Sequence, residues 1–287
     1  MIPVEASPSR MNWYAPWQSS EHVTNFDYRV ALDDRNLVRL YETLNDVRLF
    51  RKRFSPAQRL TLLEVGCATG DFYRYLRLVY HDVSYYGIDI AAAAIARAKE
   101  KYPTGRFIIT VPGAALAPFF TAVAGRPTAD IVFAADVIHH QTQPLSLLLE
   151  LIRLASQAVI LRCRTRDVGP TEWDPHRSRQ RHYGMWVPYI VMNLHELIAH
   201  LQQVAVGSEI LIYQNYAMLG GRHGRELPAA CSLQQTGTAE TAVGVFFNTA
   251  HPGRVTIRNR VDNRPHTTWD YKLKSLQRKL VRLWRHA

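Results

Sequence analysis

The sequence predicts an α/β protein built on one largely parallel sheet, and two observations support this. Short apolar runs alternate with helical patterns along most of the chain, which is the order expected when crossover helices connect parallel strands. A turn containing Gly66 and Gly70 follows the first apolar run and opens a helix. Such a turn at the carboxyl end of a strand is typical of open parallel sheets that bind a ligand at that edge.

The individual elements follow from runs of apolar residues and from helix boundary signals. Pro103 ends the Ala-rich helix before it, and Asn193 with Glu196 has the pattern of a capped helix start. An amphipathic helix is predicted near Asn36–Phe50. Strands are predicted at Leu60–Val65, Ser84–Ile90, Phe107–Val111, Asp130–Ala134, Ala158–Cys163, Glu209–Tyr213 and Ala242–Asn248. The helices between them are predicted at Asp71–Val79, Ala91–Lys101, Leu116–Ala124, Leu145–Ala155 and 194–203.

Composition and length indicate an ordinary globular protein. The 287 residues are 47% hydrophobic and 21% charged, which excludes wholesale disorder and allows one large domain or two small ones. No apolar run is long enough to span a membrane, and residues 1–10 lack the layout of a signal peptide. Three cysteines cannot pair completely, so we predict a reducing, cytoplasmic location.

The positive charge is concentrated near the carboxyl end. The net charge is +11, and residues 251–287 hold ten Lys and Arg against Asp262 and Asp270. The rest of the chain therefore carries little net charge, and a basic surface that binds nucleic acid is not indicated.

The residues from Glu64 to Asp71 carry the main chemical signal. Gly66 and Gly70 permit backbone angles and close approaches that other residues disfavour. Asp89 ends the second predicted strand nineteen residues after Gly70, where an acidic side chain is placed to bind ribose hydroxyls. Dinucleotide-binding turns have a middle glycine for the pyrophosphate, but Ala68 stands there in this chain. The sequence therefore predicts an adenosine-containing cofactor other than a dinucleotide.

The pattern E-V-G-C-x-T-G followed by G-I-D resembles the class I S-adenosylmethionine-dependent methyltransferases, over about residues 60–165. The resemblance implies a Rossmann-like sheet of seven strands with an antiparallel last strand, and S-adenosylmethionine as the cofactor. The family's usual acid after the third strand is absent, so backbone groups near Pro112 and Gly113 are expected to replace it. The cofactor residues implied in this way are Glu64, Gly66, Cys67, Ala68, Thr69, Gly70, Asp89, Ile90, Pro112, Gly113 and Asp136.

Two adjacent histidines follow the fourth strand, and this segment resembles one that borders cofactor and acceptor in small-molecule methyltransferases. His140 matches the family's recurrent histidine and His139 precedes it. Either ring has an ordinary pKa suited to taking a proton from an acceptor, and either could instead only pack. No third ligand accompanies them, so no metal site is predicted.

The acceptor is predicted from what the chain contains and lacks. The Asp/Asn-Pro-Pro-aromatic sequence of enzymes that methylate base amines is absent, so a small molecule with an O, N or S nucleophile is expected. Arg162, Arg164 and Arg166 alternate at the end of the fifth strand, which favours a polar, anionic acceptor. Among the possible methyl transfers, we favour O-methylation. The acceptor-binding candidates are Arg162, Arg164, His182, Tyr183, Trp186, Tyr14 and Trp17.

The predicted organisation is a methyltransferase core with attachments. Residues 1–59 form an amino-terminal lid, 60–263 the core with an insertion at 164–192 over the acceptor, and 264–287 a basic amphipathic helix. That helix could pack on the core or on a second subunit of a homodimer, which we favour, or lie on an anionic membrane surface. The alternatives to a small-molecule enzyme are an RNA methyltransferase and a non-catalytic module that binds the cofactor.

Overall fold

A sheet with helices on both faces forms the centre of the protein in the computed structural model, which describes residues 11–27, 31–216, 224–233 and 235–261. The strands are β1 (Leu60–Val65), β2 (Val83–Asp89), β3 (Arg106–Ile109), β4 (Ala129–Ala135), β5 (Ala155–Arg166), β6 (Arg179–His182), β7 (Met185–Pro188), β8 (Met192–Asn193), β9 (Glu209–Asn215), β10 (Arg225–Glu226), β11 (Ala239–Phe246) and β12 (Val255–Val261). The helices are α1 (Ser20–Asp27), α2 (Asp34–Thr43), α3 (Asn45–Arg53), α4 (Asp71–Val79), α5 (Ala92–Lys101), α6 (Leu116–Ala124), α7 (Pro144–Leu154) and α8 (Leu194–Val204).

The strand order places the carboxyl ends of β1, β2 and β4 side by side. The main sheet runs β12-β9-β11-β5-β4-β1-β2-β3, and β8 pairs with β5. β11 is antiparallel to both of its neighbours, β5 and β9, whereas β1 is parallel to β2 and β4. The predicted mixed fold, mostly parallel with an antiparallel last core strand, is confirmed.

The main sheet has nine strands in the described part of the chain, so the prediction of seven was wrong in number. β8 adds two residues to β5, and β12 adds a parallel strand outside β9. The sequence analysis missed β12 because Arg254, Arg258 and Arg260 made this segment look like part of the basic tail. An exposed edge strand needs apolar residues on one face only.

The amino-terminal helix predicted near residues 36–50 is two helices, so that prediction was wrong. Leu44 between α2 and α3 has an extended backbone, and its N–H bonds to the carbonyl of Tyr41. α3 then begins at Asn45, and the Asp46 carboxylate in its first turn suits the positive end of the helix dipole. The break turns α3 onto the sheet, where it packs on β5, β9 and β11.

Two apolar clusters cover the two faces of the sheet. One joins the sheet to α6, α7 and α8, and the other joins it to α2, α3, α4 and α5. In the second cluster Phe50 of α3 is fully buried, with ring contacts to Phe54, Phe72 and Tyr80. The α2–α3 pair is therefore part of the core.

The predicted insertion after the fifth strand begins with an extension of that strand. β5 continues to Arg166, and β6 and β7 then form an antiparallel hairpin that β10 extends. The helix predicted for residues 264–287 lies outside the described residues, so the proposals about it stay predictions.

Across the described ranges, no helix combines the length and the apolar character that crossing a bilayer requires.

We predict that Phe50→Ala lowers the free energy of unfolding by about 3–5 kcal/mol, because it removes a buried ring and leaves a cavity. Chemical denaturation measures this loss. Arg48→Ala, an exposed change on the same helix, should alter stability by less than about 0.5 kcal/mol. A loss below about 1 kcal/mol for Phe50→Ala would mean that α3 is detachable from the core.

Candidate active site

A cavity of about 450 Å³ lies at the carboxyl edge of the sheet. The ends of β1, β2 and β4 and the turns that follow them supply its floor, and the amino-terminal segment supplies the opposite wall. The predicted site residues that line it are Tyr14, Trp17, Glu64, Gly66, Cys67, Ala68, Thr69, Asp89, Ile90, Pro112, Gly113, Asp136, His140 and Arg162. Most of the predicted cofactor set therefore shares one wall.

The turn after β1 requires glycine at two positions. Gly66 and Gly70 have φ angles of 79° and 80°, in the left-handed region. A Cβ on Gly66 would lie 2.3 Å from Cγ2 of Val137, and one on Gly70 would lie 2.7 Å from Cζ of Phe107. Gly66 borders the cavity, whereas Gly70 packs beneath it and starts α4.

Asp89 holds this turn against the end of β2. Its Oδ2 accepts the N–H of Ala68 at 2.8 Å, and its Oδ1 accepts the N–H of Ala91 at 2.8 Å. Burial raises the pKa of the Asp89 carboxyl, and the backbone N–H groups partly oppose this. A carboxylate has about four acceptor positions, so the side chain can also accept from hydroxyls in the cavity that it lines.

Glu64 and Cys67 form the inner side of the turn. The Tyr85 hydroxyl donates to Oε2 of Glu64, which fixes the carboxylate at the cavity wall. Burial, together with the carboxylates of Asp89 and Glu64, raises the pKa of the Cys67 thiol well above its ordinary value. Cys67 is therefore a neutral thiol that packs rather than reacts.

The wall after β3 contains a buried hydroxyl with no partner. Thr110 is 6% exposed, lines the cavity, and its Oγ1 makes no hydrogen bond within the described structure. Glu150 of α7 lines the cavity too and accepts the N–H of Leu116. This side of the cavity thus has an acid that comes from a helix, although the β3 turn itself supplies none.

A buried ion bridge closes the cavity beside the end of β4. Arg162 donates from Nε to Oδ2 of Asp136 at 2.9 Å, and its Nη1 lies 3.3 Å from the Asp46 carboxylate of α3. Burial raises the pKa of Asp136, but the guanidinium groups of Arg162 and Arg164 outweigh it and hold that pKa well below its usual range. Asp136 has a φ of 59°, and its Oδ1 makes no hydrogen bond to any residue that the structure describes.

The two histidines after β4 have different positions. Nδ1 of His140 lies 2.9 Å from the carbonyl oxygen of Pro188, and the ring borders the cavity. A carbonyl only accepts, so in the neutral ring Nδ1 carries the proton and Nε2 the lone pair. His139 is 2% exposed and does not line the cavity. Burial, then the neighbouring His140, lowers the pKa of His139 well below its ordinary value.

The amino-terminal segment covers the cavity from the other side. Tyr14, Trp17 and His22 line it. Gln18 anchors the segment, because its Nε2 donates to the carbonyl oxygen of Ile90 at 2.6 Å. The chain from Tyr14 to His22 therefore stands directly against the end of β2.

Trp17 sits at the centre of a histidine cluster. Its ring centroid lies 5.4 Å from that of His22, 5.1 Å from that of His140 and 5.0 Å from that of His182. Burial lowers the pKa of His22, and the Asp89 carboxylate partly opposes this. The segment at 164–192 thus meets the amino-terminal segment through His182, beside His140.

The arginines of β5 do not form the row of cations that the sequence suggested. Arg162 is bridged by two carboxylates, as described above, and Arg164 pairs with Glu240 of β11 at 3.3 Å. Arg166 is fully buried and donates from Nε to the carbonyl of Val191. Carboxylates already balance the charges of Arg162 and Arg164. These two residues therefore do not support the expectation of an anionic acceptor.

The other predicted acceptor residues do not line the cavity. Arg164, Tyr183 and Trp186 lie outside it, and Trp186 packs under the guanidinium groups of Arg179 and Arg181. His182 does not line the cavity either, but its ring contacts Trp17, which does. Within the described ranges, no cluster of three or more His, Cys, Asp or Glu side chains could hold a metal ion.

Several cavity residues were missed by the sequence analysis. Asp46 and His22 come from the helical attachment, Thr110 begins the stretch after the third strand in which only Pro112 and Gly113 were predicted, and Glu150 comes from a position with no motif. The signal for Asp46 was its helical spacing, because it lies three and four residues before Leu49 and Phe50 and so shares their apolar face of α3. Nothing in the sequence alone places Glu150.

Comparisons with known proteins agree with this geometry. Residues 63–159 match a family model described as a methyltransferase domain. The chain therefore contains a methyltransferase domain over these residues, which agrees with the predicted S-adenosylmethionine-dependent class and its cofactor. No curated protein sequence matches the chain.

Several solved structures are similar to parts of the chain at low sequence identity. An S-adenosylmethionine-dependent methyltransferase from Mesorhizobium loti is 12% identical with a TM-score of 0.48, over 72% of this chain and 99% of that one. The 1,6-didemethyltoxoflavin-N1-methyltransferase of Burkholderia thailandensis is 15% identical with a TM-score of 0.44, over 85% and 93%. The [4+2]-cyclase SpnF is 17% identical with a TM-score of 0.43, and the match covers 62% of this chain and 60% of that one.

We predict that Asp89→Ala weakens binding of S-adenosylhomocysteine by about 1–3 kcal/mol, the scale of lost hydrogen bonds to a charged group. Titration calorimetry measures the affinity. Asp82→Ala removes an exposed carboxylate just before the same strand and should leave the affinity unchanged. Equal affinities for the two variants would remove Asp89 from the site.

A second prediction concerns the unpartnered hydroxyl of Thr110. Thr110→Val keeps the shape but removes the donor, so affinity for S-adenosylhomocysteine should fall by about 0.5–1.5 kcal/mol. The stability of the cofactor-free protein should stay the same or rise, because a buried unsatisfied group is lost. If the affinity does not change while stability rises, Thr110 faces no part of the cofactor.

Proposed function

We propose that this protein transfers a methyl group from S-adenosylmethionine to a hydroxyl of a small polar acceptor, with His140 as the general base. The observation that carries this proposal is the bond between Nδ1 of His140 and Pro188, which leaves the basic lone pair on Nε2 of a ring at the cavity wall. A hydroxyl is a weak nucleophile until its proton is removed, whereas a neutral amine already has a lone pair. A positioned histidine base therefore favours O-methylation.

The cavity fits the cofactor on three counts. The turn at Gly66 allows a ligand to approach the backbone closely, Asp89 supplies an acceptor for hydroxyls, and Thr110 and Asp136 each present a buried atom with no partner. When bound, S-adenosylmethionine supplies an electrophilic methyl group on a sulfonium. We assign its binding to Glu64, the turn at 66–69, Asp89, Ile90, Thr110, Pro112, Gly113 and Asp136.

The remaining wall suits the acceptor. Trp17 and Tyr14 cover the cavity beside His140, so the acceptor would be held between aromatic rings and the histidine, with bulk water excluded. Alignment of two reactants and exclusion of water are the main contributions that such a site makes. Arg162 is neutralised by Asp46 and Asp136, so we propose an acceptor recognised by stacking and hydrogen bonds.

We predict that His140→Ala lowers turnover by about 10²–10⁴ and leaves affinity for S-adenosylhomocysteine nearly unchanged, because the base acts only on the acceptor. Incorporation of labelled methyl groups into a metabolite extract measures turnover, and calorimetry measures affinity.

The matched control is His195→Ala, which removes an exposed histidine on α8 and should retain full activity. A His140→Ala variant with unchanged turnover would contradict the assignment of the base. A variant that loses only cofactor affinity would place His140 in the cofactor wall instead.

A further inference from the structure

A second cavity, of about 240 Å³, lies at the far end of α3, where that helix meets β9 and β12. Its apolar base is small, and most of its wall is basic. The residues that line it are Leu49, Lys52, Arg53, Glu209, Leu211, His251, Arg254, Thr256 and Arg258.

The acidic member of this wall already has partners. Glu209 forms an ion pair with Arg53 and accepts from the hydroxyl of Thr249 at 2.9 Å. Lys52, Arg254 and Arg258 have no carboxylate partner among the residues that the structure describes. Among the described residues, no acidic side chain therefore balances these three positive charges.

The register of β12 makes these charges converge. Arg254 directly precedes the strand, and Thr256 and Arg258 follow at alternate positions, so their side chains share one face. Lys52, in the last turn of α3, faces the same cavity. A helix carboxyl end attracts cations, which accounts for Lys52 but not for the two arginines of the strand.

The second cavity stands at the opposite edge of the sheet from the methyltransferase site. β9 is antiparallel to β11, and β11 is antiparallel to β5, so β9 runs parallel to β5. Glu209 at the start of β9 thus lies at the edge opposite the carboxyl ends of β1 and β4. The two cavities have no lining residue in common.

We propose that this second cavity binds a small soluble ligand that carries a phosphate or diphosphate group. Arginine forks and a lysine ammonium match the oxygens of such an anion, and the Thr256 hydroxyl adds a further donor. The concave shape and the few cations suit a compact group rather than a long polyanion. Charged side chains on an edge strand such as β12 can also serve to prevent pairing with another sheet. That role would not require Arg254 and Arg258 to line the same cavity.

The test is titration calorimetry of the full chain with inorganic pyrophosphate at low ionic strength. We expect wild-type protein to bind, and Arg254→Gln/Arg258→Gln to bind at least tenfold more weakly. The control Arg35→Gln/Arg39→Gln removes two exposed arginines of α2 and changes the net charge equally, so it should bind like wild type. Affinity for S-adenosylhomocysteine should be the same in all three proteins, which confirms that they are folded.

The basic tail is present in every variant, so a difference between the two double variants isolates the cavity. No binding by wild type, or equal weakening in both double variants, would overturn the proposal. Vesicles of phosphatidylcholine with and without phosphatidic acid test the other source of a phosphate group. Cavity-dependent binding to the acidic vesicles, with no binding of pyrophosphate, would assign the site to a lipid headgroup and reject a soluble ligand.

Discussion

The buried guanidinium of Arg162 is the interaction on which the arrangement of the site depends. This group joins Asp46 of α3 to Asp136 after β4. The backbone carbonyl of Arg162 also accepts the N–H of Asp136 at 2.8 Å. One side chain thus links the sheet, the helical layer and the cavity wall. Breaking such a bridge leaves a buried charge without compensation, which costs far more than the bridge contributes relative to apolar residues. The bridge therefore explains why the amino-terminal helices, although outside the core motif, are part of the site.

Local patterns were enough to predict the parallel core and the cofactor wall. The elements β1, α4 and α6 have the predicted bounds, because each has apolar residues at one regular spacing and a glycine or proline signal at an end. Gly66 and Asp89 are 23 residues apart in the sequence. They could be placed because the turn after β1 and the end of β2 come together when these two parallel strands pair. The domain class followed from these residues, and the family comparison agrees with it.

Features that depend on long-range pairing could not be predicted. Arg162 and Arg164 looked like a row of cations because their partners, Asp46, Asp136 and Glu240, are distant in the sequence or follow a different strand. The extended backbone of Leu44 separates α2 from α3 and allows α3 to pack on the sheet. The spacing of apolar residues in the sequence does not reveal such a break. Trp17 was expected in the site, but its contacts with three histidines arise from three separate segments.

The most direct test of this account is a double-mutant cycle on Arg162 and Asp46, measured as the free energy of unfolding. Arg162→Met alone should cost about 3–5 kcal/mol, because it leaves two carboxylates beside each other in the core. Adding Asp46→Asn should recover part of that loss, so the two changes should be coupled by more than about 1 kcal/mol. Losses that simply add, within about 0.5 kcal/mol, would show that the bridge does not hold the helical layer to the site.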